Sequence, residues 1–438
     1  MKQFLAKVLN GFAVGLGFMV ACGIGALLIF IVYSNPQLAD SVKNSGVAEL
    51  FTKQQPKSLF DIDNYQPAPK IENHLLKNIN GNTQIKVPDN FLRFQVSTVE
   101  EYYATQAQIK KHGGSAAIYF DDGIYSFPKT NVIKLPNIMI LSTSGQANKV
   151  ILQGIGMRAV RRTDSLFEVY ANGFVVDGVT LQNVGNHLIQ IKAEKNADFP
   201  IIRNSILQNS YQQMIKVSYD KTNAPNNYSD SGLIENCLFQ YTAGIGPNFY
   251  IGGIDAHGIR NWTIRNNIFR NIASPSKHIA EHAIHIWNNT ENNLVENNII
   301  INSDRGIGFG MFNSSVQDNN QNIKFSNYGG IIRNNIIYHS NNHAPFADTG
   351  IVIENSPKTI IEGNYIFLEH NYPRAIEYRF NQTSDVIIKN NFTNKNISSR
   401  NGGEATLVNN NENLTKVDFI LQLRNAINKM PYTVDLSK

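Results

Sequence analysis

Asp255 and His257 stand two residues apart, and His285 and Trp287 repeat that spacing further on. Side chains two apart on a strand point the same way, so each pair can be presented together. Lys216 precedes them, Glu281 and His282 lead into the second pair, and Arg305 follows, with Gly308 and Gly310 again two apart. An imidazole of ordinary pKa, about 6.5, takes or returns a proton near neutrality. A carboxylate can orient it, and Lys or Arg can hold the charge that develops when a carbon acid is deprotonated. This is equipment for abstracting the proton beside the carboxylate of a uronic acid. His257, His285, Asp255 and Arg305 are the catalytic candidates: either histidine as base or donor, Asp255 as orienting group, Arg305 as cation. Lys216, Glu281, His282, Trp287, Gly308 and Gly310 are the substrate-binding candidates. Trp287 offers a wall for the apolar face of a sugar, and the two glycines should leave a hollow beside the cluster.

Proton abstraction leads two ways. Loss of the C4 substituent makes a lyase, and return of the proton on the other face makes a C5-epimerase; the residues do not separate them. Hydrolysis needs two carboxylates about the glycosidic bond, for which Asp255, Glu281 and Asp304 are candidates, but no Asp-Asp pair is present in this stretch. A non-catalytic protein that binds or assembles a polysaccharide could use the same face, and a structural spacer would not need the cluster. His257, His282, His285 and Asp255 include zinc-type ligands. However, His282 and His285 are three apart, so strand alternation places them on opposite faces, and no metal is expected. Calcium would need clustered acids, and the acids here lie mostly in turns, which makes calcium a weak reading; no other cofactor is indicated. Turn charges such as Arg265 and Glu296 read as solvated or paired with stacked neighbours. His278, His339, His343 and His370 read as loop residues, and Trp262 as packing.

What must position the cluster is a repeat. Strands are read at Leu188–Lys192, Met214–Ser218, Gly253–His257, Ala283–Trp287, Gly306–Gly310, Gly350–Glu354 and Ala375–Arg379. Each is followed by an apolar pair, a charge and then Asn or Gly, ending at Asn204, Asn236, Asn266, Asn297, Asn334, Gly363 and Asn390. A period of roughly thirty residues without a helical pattern indicates a solenoid of stacked coils. The fold class is all-β, a right-handed parallel β-helix. Those Asn residues are expected to stack as amide ladders. Third and fifth strand residues then form outward rows about 4.8 Å apart from coil to coil. Helices at Ser97–His112, with Ser97 as N-cap, and at Asn413–Lys429 are expected to cap the two ends.

The 438 residues divide into an anchor at 1–33, a polar tether at 34–96, the β-helix with its N-terminal cap at 97–412, and a C-terminal capping helix and tail at 413–438. Phe12–Tyr33 carries no charge and follows Lys2 and Lys7, which reads as one transmembrane helix with the bulk outside. The expected location is a bacterial inner membrane, single-pass, facing the periplasm or cell exterior. Met19-Val20-Ala21-Cys22 loosely resembles a lipoprotein cleavage site, but the apolar run continues past Cys22, which favours an uncleaved anchor. The tether is Pro-punctuated, with room for a short helix near Leu38–Thr52. A net charge of +5 with 17% charged residues shows no basic block, so no nucleic-acid partner is expected. The expected partners are an acidic polysaccharide and, through the N-terminal helix, a membrane.

From about Ile118 to Phe392 the chain resembles the pectate-lyase-like right-handed β-helix superfamily of polysaccharide lyases, polygalacturonases, epimerases and tailspikes. Locally, Gly253-Ile254-Asp255-Ala256-His257 is similar to the Gly-x-Asp-Pro-His-Asp segment of periplasmic mannuronan C5-epimerases. The resemblance implies that His257 is a catalytic base, and His282-Ala283-Ile284 resembles that family's next strand. Ala256 replaces its Pro, Gly258 its final Asp, and Asn288 the Arg that would meet a substrate carboxylate. A shared fold does not assign a function.

Overall fold

The computed structural model describes residues 85–157, 164–275, 278–312, 316–318, 321–340 and 346–430. The anchor segment Phe12–Tyr33 and most of the tether, including Leu38–Thr52, lie outside them, as does His343. Among the described residues no helix is long and apolar enough to cross a membrane.

Three long parallel sheets, one of twelve strands and two of ten, run along the chain, and successive coils pair in order. This is a parallel β-helix. In the twelve-stranded sheet Ile202, Ile234, Ile264, Val295, Ile332, Ile361 and Ile388 are paired row to row and fully buried. The next residue of each strand makes a row of alternating sign: Asp177, Arg203, Glu235, Arg265, Glu296, Arg333, Glu362, Lys389. Arg265 meets Glu235 at 2.8 Å, Arg333 meets Glu296 at 2.7 Å and Lys389 meets Glu362 at 3.0 Å. Like charges directly opposite would repel, so the alternation favours this register over a slip of one coil.

The amide ladder forms one residue later than the sequence reading placed it. Asn236, Asn266, Asn297, Asn334 and Asn390 take left-handed φ angles near +55°, which Asn tolerates and most residues do not. Gly363 fills the same slot at φ +65°. The buried ladder is built by the following residues: Asn267 Nδ2 donates to Asn298 Oδ1, Asn298 to Asn335, Asn335 to Asn364 and Asn364 to Asn391, at 2.9–3.0 Å.

Helix α1 (Val99–His112) closes the N-terminal end, with Tyr102 and Ile109 buried in the main core. Its N-cap is Thr98, not Ser97, because Thr98 Oγ1 accepts from the Glu101 amide at 3.1 Å. The first strand, Leu92–Val96, pairs with Ala116–Phe120, so the solenoid begins inside the stretch read as tether. Helix α2 (Lys416–Asn428) does not cap the end of the core. Phe419 stacks on Tyr338 and packs against Phe367, on the outer side of a ten-stranded sheet where Ile206, Leu238, Ile268, Ile299 and Ile336 form a second apolar cluster.

Three further buried histidines stand outside the catalytic candidates, His187 close enough to feel the charges of Lys216 and Asp255. His187 Nδ1 sits 2.8 Å from the Gln213 carbonyl, and the rings of His339, which ends a strand and is not in a loop, and of His370, which is in a loop as expected, are both buried and meet at 5.1 Å. Burial lowers them to about 4, 3 and 4 respectively. Folded values below the ordinary 6.5 mean that the neutral rings favour the fold above pH 6.5. That contribution is lost as pH falls from 6.5 towards 3–4. At about 1.4 kcal/mol per unit, the loss is on the order of several kcal/mol in total. Urea midpoints measured from pH 7 to 4 should fall steeply; a flat profile would contradict the assignment.

Candidate functional site

The site lies on the outer face of the ten-stranded sheet that contains Ile215–Ser218, Ile254–Ala256, His282–Ile286 and Arg305–Phe309. Its register puts Gln190, Lys216, Asp255, His285, Gly308, Val352 and Glu377 in one row. Ile215, Ile254, Ile284 and Ile307 point inward and are fully buried, and this fixes the outward direction of the row.

Asp255 is the centre. Lys216 Nζ donates to Oδ2 at 2.5 Å and Trp287 Nε1 donates to Oδ1 at 2.7 Å. His257 Nε2 lies 3.3 Å from Oδ1 and 3.0 Å from Lys216 Nζ. The His257 and Trp287 rings meet edge to face at 4.1 Å, and Lys216 Nζ lies 6.0 Å from the indole centroid. The Asp255 side chain is only 3% exposed. Burial pushes its carboxyl up, but the Lys216 charge, with the hydrogen bond and charge of His257, outweighs it and holds Asp255 well below the usual carboxylate range. Burial lowers His257 despite the opposing pull of Asp255, so the ring is neutral near pH 7. Asn288 Nδ2 lies 3.3 Å from His257 Nδ1. Two donor-only groups face the ring, the Asn288 amide nitrogen at Nδ1 and the nearer Lys216 ammonium at Nε2, while Asp255 Oδ1 also lies within reach of Nε2. The result is a neutral imidazole held at Nε2 between a carboxylate and an ammonium, with Nδ1 covered by one long amide contact.

Glu281, His282 and His285 form a second group. The rings of His282 and His285 lie 4.3 Å apart, so they share a face, contrary to the alternation expected from their spacing. Ala283 and Ile284 both belong to the buried core, and two consecutive inward residues leave the flanking histidines on the same side. His285 Nε2 donates to the Gly310 carbonyl at 3.1 Å, and its Nδ1 lies 3.4 Å from Glu281 Oε2. The hollow expected at Gly308 and Gly310 is filled. A Cβ on Gly308 would stand 2.8 Å from His282 Nε2, and one on Gly310 would strike the Glu354 carbonyl.

Arg305 is held away from Asp255 by Asp348, with Nη2 at 3.0 Å and Nε at 3.1 Å from Oδ2. Asp348 comes from a segment outside the repeat pattern, and nothing in the spacing points to it. Both cations of the cluster, Lys216 and Arg305, are therefore paired with carboxylates. Asp304 accepts from the Ser274 and Ala280 amides at 2.9 and 3.0 Å and is buried; it staples a loop and is removed from solvent. A depression of about 540 Å³ lies elsewhere, beside Ser340, Phe367, Leu368, Glu369, Asn394 and Lys395.

No protein-family model and no curated protein matches the chain. Solved structures similar to it include an alginate lyase from Paenibacillus sp. str. FPU-7, at 13% identity and TM-score 0.36, covering 73% of this chain and 99% of that one. A pectin methylesterase in complex with a hexasaccharide is 10% identical at TM-score 0.37, covering 76% and 95%. The Streptococcus pneumoniae surface protein and adhesin PfbA is 12% identical at TM-score 0.36, covering 71% and 93%. Such distant likenesses assign no substrate or reaction to this chain, and the narrower resemblance to mannuronan C5-epimerases stays a reading of the sequence.

Proposed function

We propose that the protein acts on an acidic, uronate-containing polysaccharide through this face, with His257 as the base of a lyase or C5-epimerase. The observation that carries the reading is the Lys216–Asp255–His257 arrangement. Asp255 stays ionised beside Nε2 while burial keeps His257 neutral, so in its Nε2–H tautomer the ring can accept a proton at Nδ1 once substrate displaces the Asn288 amide. The imidazolium formed would then face the carboxylate. Proton transfer from a positioned base is worth about 10²–10⁴ in rate. Trp287 is fixed by its own hydrogen bond to Asp255 and offers a ring face beside the base. Exposed Phe249 and Tyr250 precede the Asp255 strand, and exposed Met311 and Phe312 follow the Arg305 strand; apolar groups at both ends of the face suit a long glycan. Membrane anchoring through Phe12–Tyr33 belongs to the same proposal.

One observation favours a non-catalytic, polysaccharide-binding role: both nitrogens of His257 are engaged and both nearby cations are paired. The experiment that decides is a product assay on uronate-containing polysaccharides, following unsaturated ends and deuterium uptake from heavy water. A lyase yields unsaturated ends, and an epimerase takes up deuterium without chain cleavage. In either case His257→Ala should lower the rate about 10²-fold or more. Binding without either signal would overturn the enzyme reading and leave the binding role.

A further inference from the structure

Buried polar atoms without a hydrogen-bond partner gather at one place beside the Asp255 cluster. They include both nitrogens of His282, Nδ1 of His285 and both amide atoms of Gln213. Gln213 and Glu281 flank Gly252, where an added Cβ would lie 3.2 Å from Gln213 Cγ and 3.4 Å from Glu281 Cβ. Buried polar groups are normally satisfied, and a set left open together indicates a water or an ion that belongs there.

We propose that Glu281, His282 and His285 bind a first-row divalent metal ion, zinc foremost. One ligand atom from each residue lies within 4.8 Å of the others. Tetrahedral zinc, with bonds of about 2.0–2.1 Å, needs its ligand atoms about 3.3 Å apart. The Glu281–His285 contact of 3.4 Å already meets that, and rotation of the His282 side chain closes the third position. The Gly310 carbonyl can only accept, so His285 carries its proton on Nε2 and, when neutral, turns the Nδ1 lone pair towards the Glu281 carboxylate. Two lone pairs facing at that distance call for a cation between them. A histidine that donates its far N–H to a backbone carbonyl is also the usual outer support of a metal ligand. His282 is buried, and both of its nitrogens are open, so it is free to serve as a neutral imidazole donor. Two imidazoles and one carboxylate suit zinc and its neighbours, not the all-oxygen shells of calcium or magnesium. Three protein ligands leave a coordination position open.

The His285 ring stacks on Trp287 at 5.4 Å, so the site adjoins the Asp255 cluster. An ion there would supply the positive charge that Lys216 and Arg305, both paired, do not, and a uronate carboxylate could take the open position. This last role rests on the proton-abstraction reading; the binding of the ion does not.

The test uses the full chain, stripped by a chelator, dialysed, and titrated with ZnCl₂ by calorimetry and with CoCl₂ by visible absorption. One tight equivalent is expected, with the visible bands of four-coordinate cobalt. Glu281→Gln and His282→Ala should each weaken binding about tenfold or more, while His257→Ala leaves it unchanged. X-ray absorption of the zinc-loaded wild type should show two imidazoles, and this measurement decides even if the variants do not fold. A folded wild type that takes up neither ion, an affinity unchanged in His282→Ala, or an absorption spectrum without imidazole would overturn the site. Zinc binding without lyase or isotope-exchange activity would uphold the site and overturn the proton-abstraction reading.

Discussion

Replacing Asn335 by alanine should cost about 3–5 kcal/mol, while replacing its neighbour Asn334 by glycine should cost less than about 1 kcal/mol. Asn335 Oδ1 accepts from the backbone amide and the side-chain amide of Asn298, both at 3.0 Å. Its Nδ2 donates to the Val295 carbonyl and to Asn364 Oδ1, both at 3.0 Å. Truncation leaves the Asn298 backbone N–H without an acceptor and removes partners from three further buried groups. An orphaned buried polar group costs about 1–3 kcal/mol, and the groups that keep a second partner cost less. Asn334 is exposed and sits at φ 55°, which glycine adopts freely. The total is large against a typical stability of about 5–15 kcal/mol. Urea unfolding followed by circular dichroism would measure both variants. Equal midpoints would show that the stacked amides contribute nothing beyond filling space.

That pair of residues also shows how much of the architecture could be read from the chain. The repeat was legible because apolar residues alternate within each strand and recur from coil to coil. The ladder was misplaced by one because Asn-Asn pairs satisfy two demands, a left-handed turn and a stacking amide, in adjacent slots. Gly363 is the clue that separates them, since glycine can occupy the turn and has no amide to stack. The row Lys216, Asp255, His285 follows from strand period alone. The meeting of His282 with His285 does not, because it depends on Ala283 and Ile284 both turning inward. Arg305 was assigned as a free cation because its partner Asp348 lies 43 residues further on, outside any repeated position. The hollow at Gly308 was inferred from a missing side chain, but its space is taken by the ring of His282 from the coil before.

Asp255→Ala should destabilise the protein by about 3–5 kcal/mol, the range for breaking a buried ion pair from one side. The loss strands the Lys216 ammonium, whose side chain is 13% exposed, and removes the acceptor of the Trp287 indole N–H. Asp255→Asn keeps an acceptor for the indole but not the charge, so it should recover only part of the loss. Lys216→Met combined with Asp255→Asn should recover most of it, because removing both charges also removes the cost of desolvating them. The pH dependence has a definite sign. Asp255 is held below the ordinary carboxylate range, so its contribution is fully present above that range and is lost as pH falls through it and beyond. Asp255 also raises His257, His187 and His282, so its loss deepens the histidine-linked destabilisation below pH 6.5, and the carboxylate is read alone only above that range. The difference between wild type and Asp255→Asn should be constant from pH 8 to 7, widen as pH falls through the histidine range, and shrink in stronger acid. Trp287 reports the local structure, and Trp262→Phe, which removes the other indole, makes its fluorescence readable alone. If the single Asp255 variants and the double variant unfold at the same denaturant concentration, Lys216 and Asp255 are not coupled. The ionised carboxylate would then lose its support, and with it the orientation of His257.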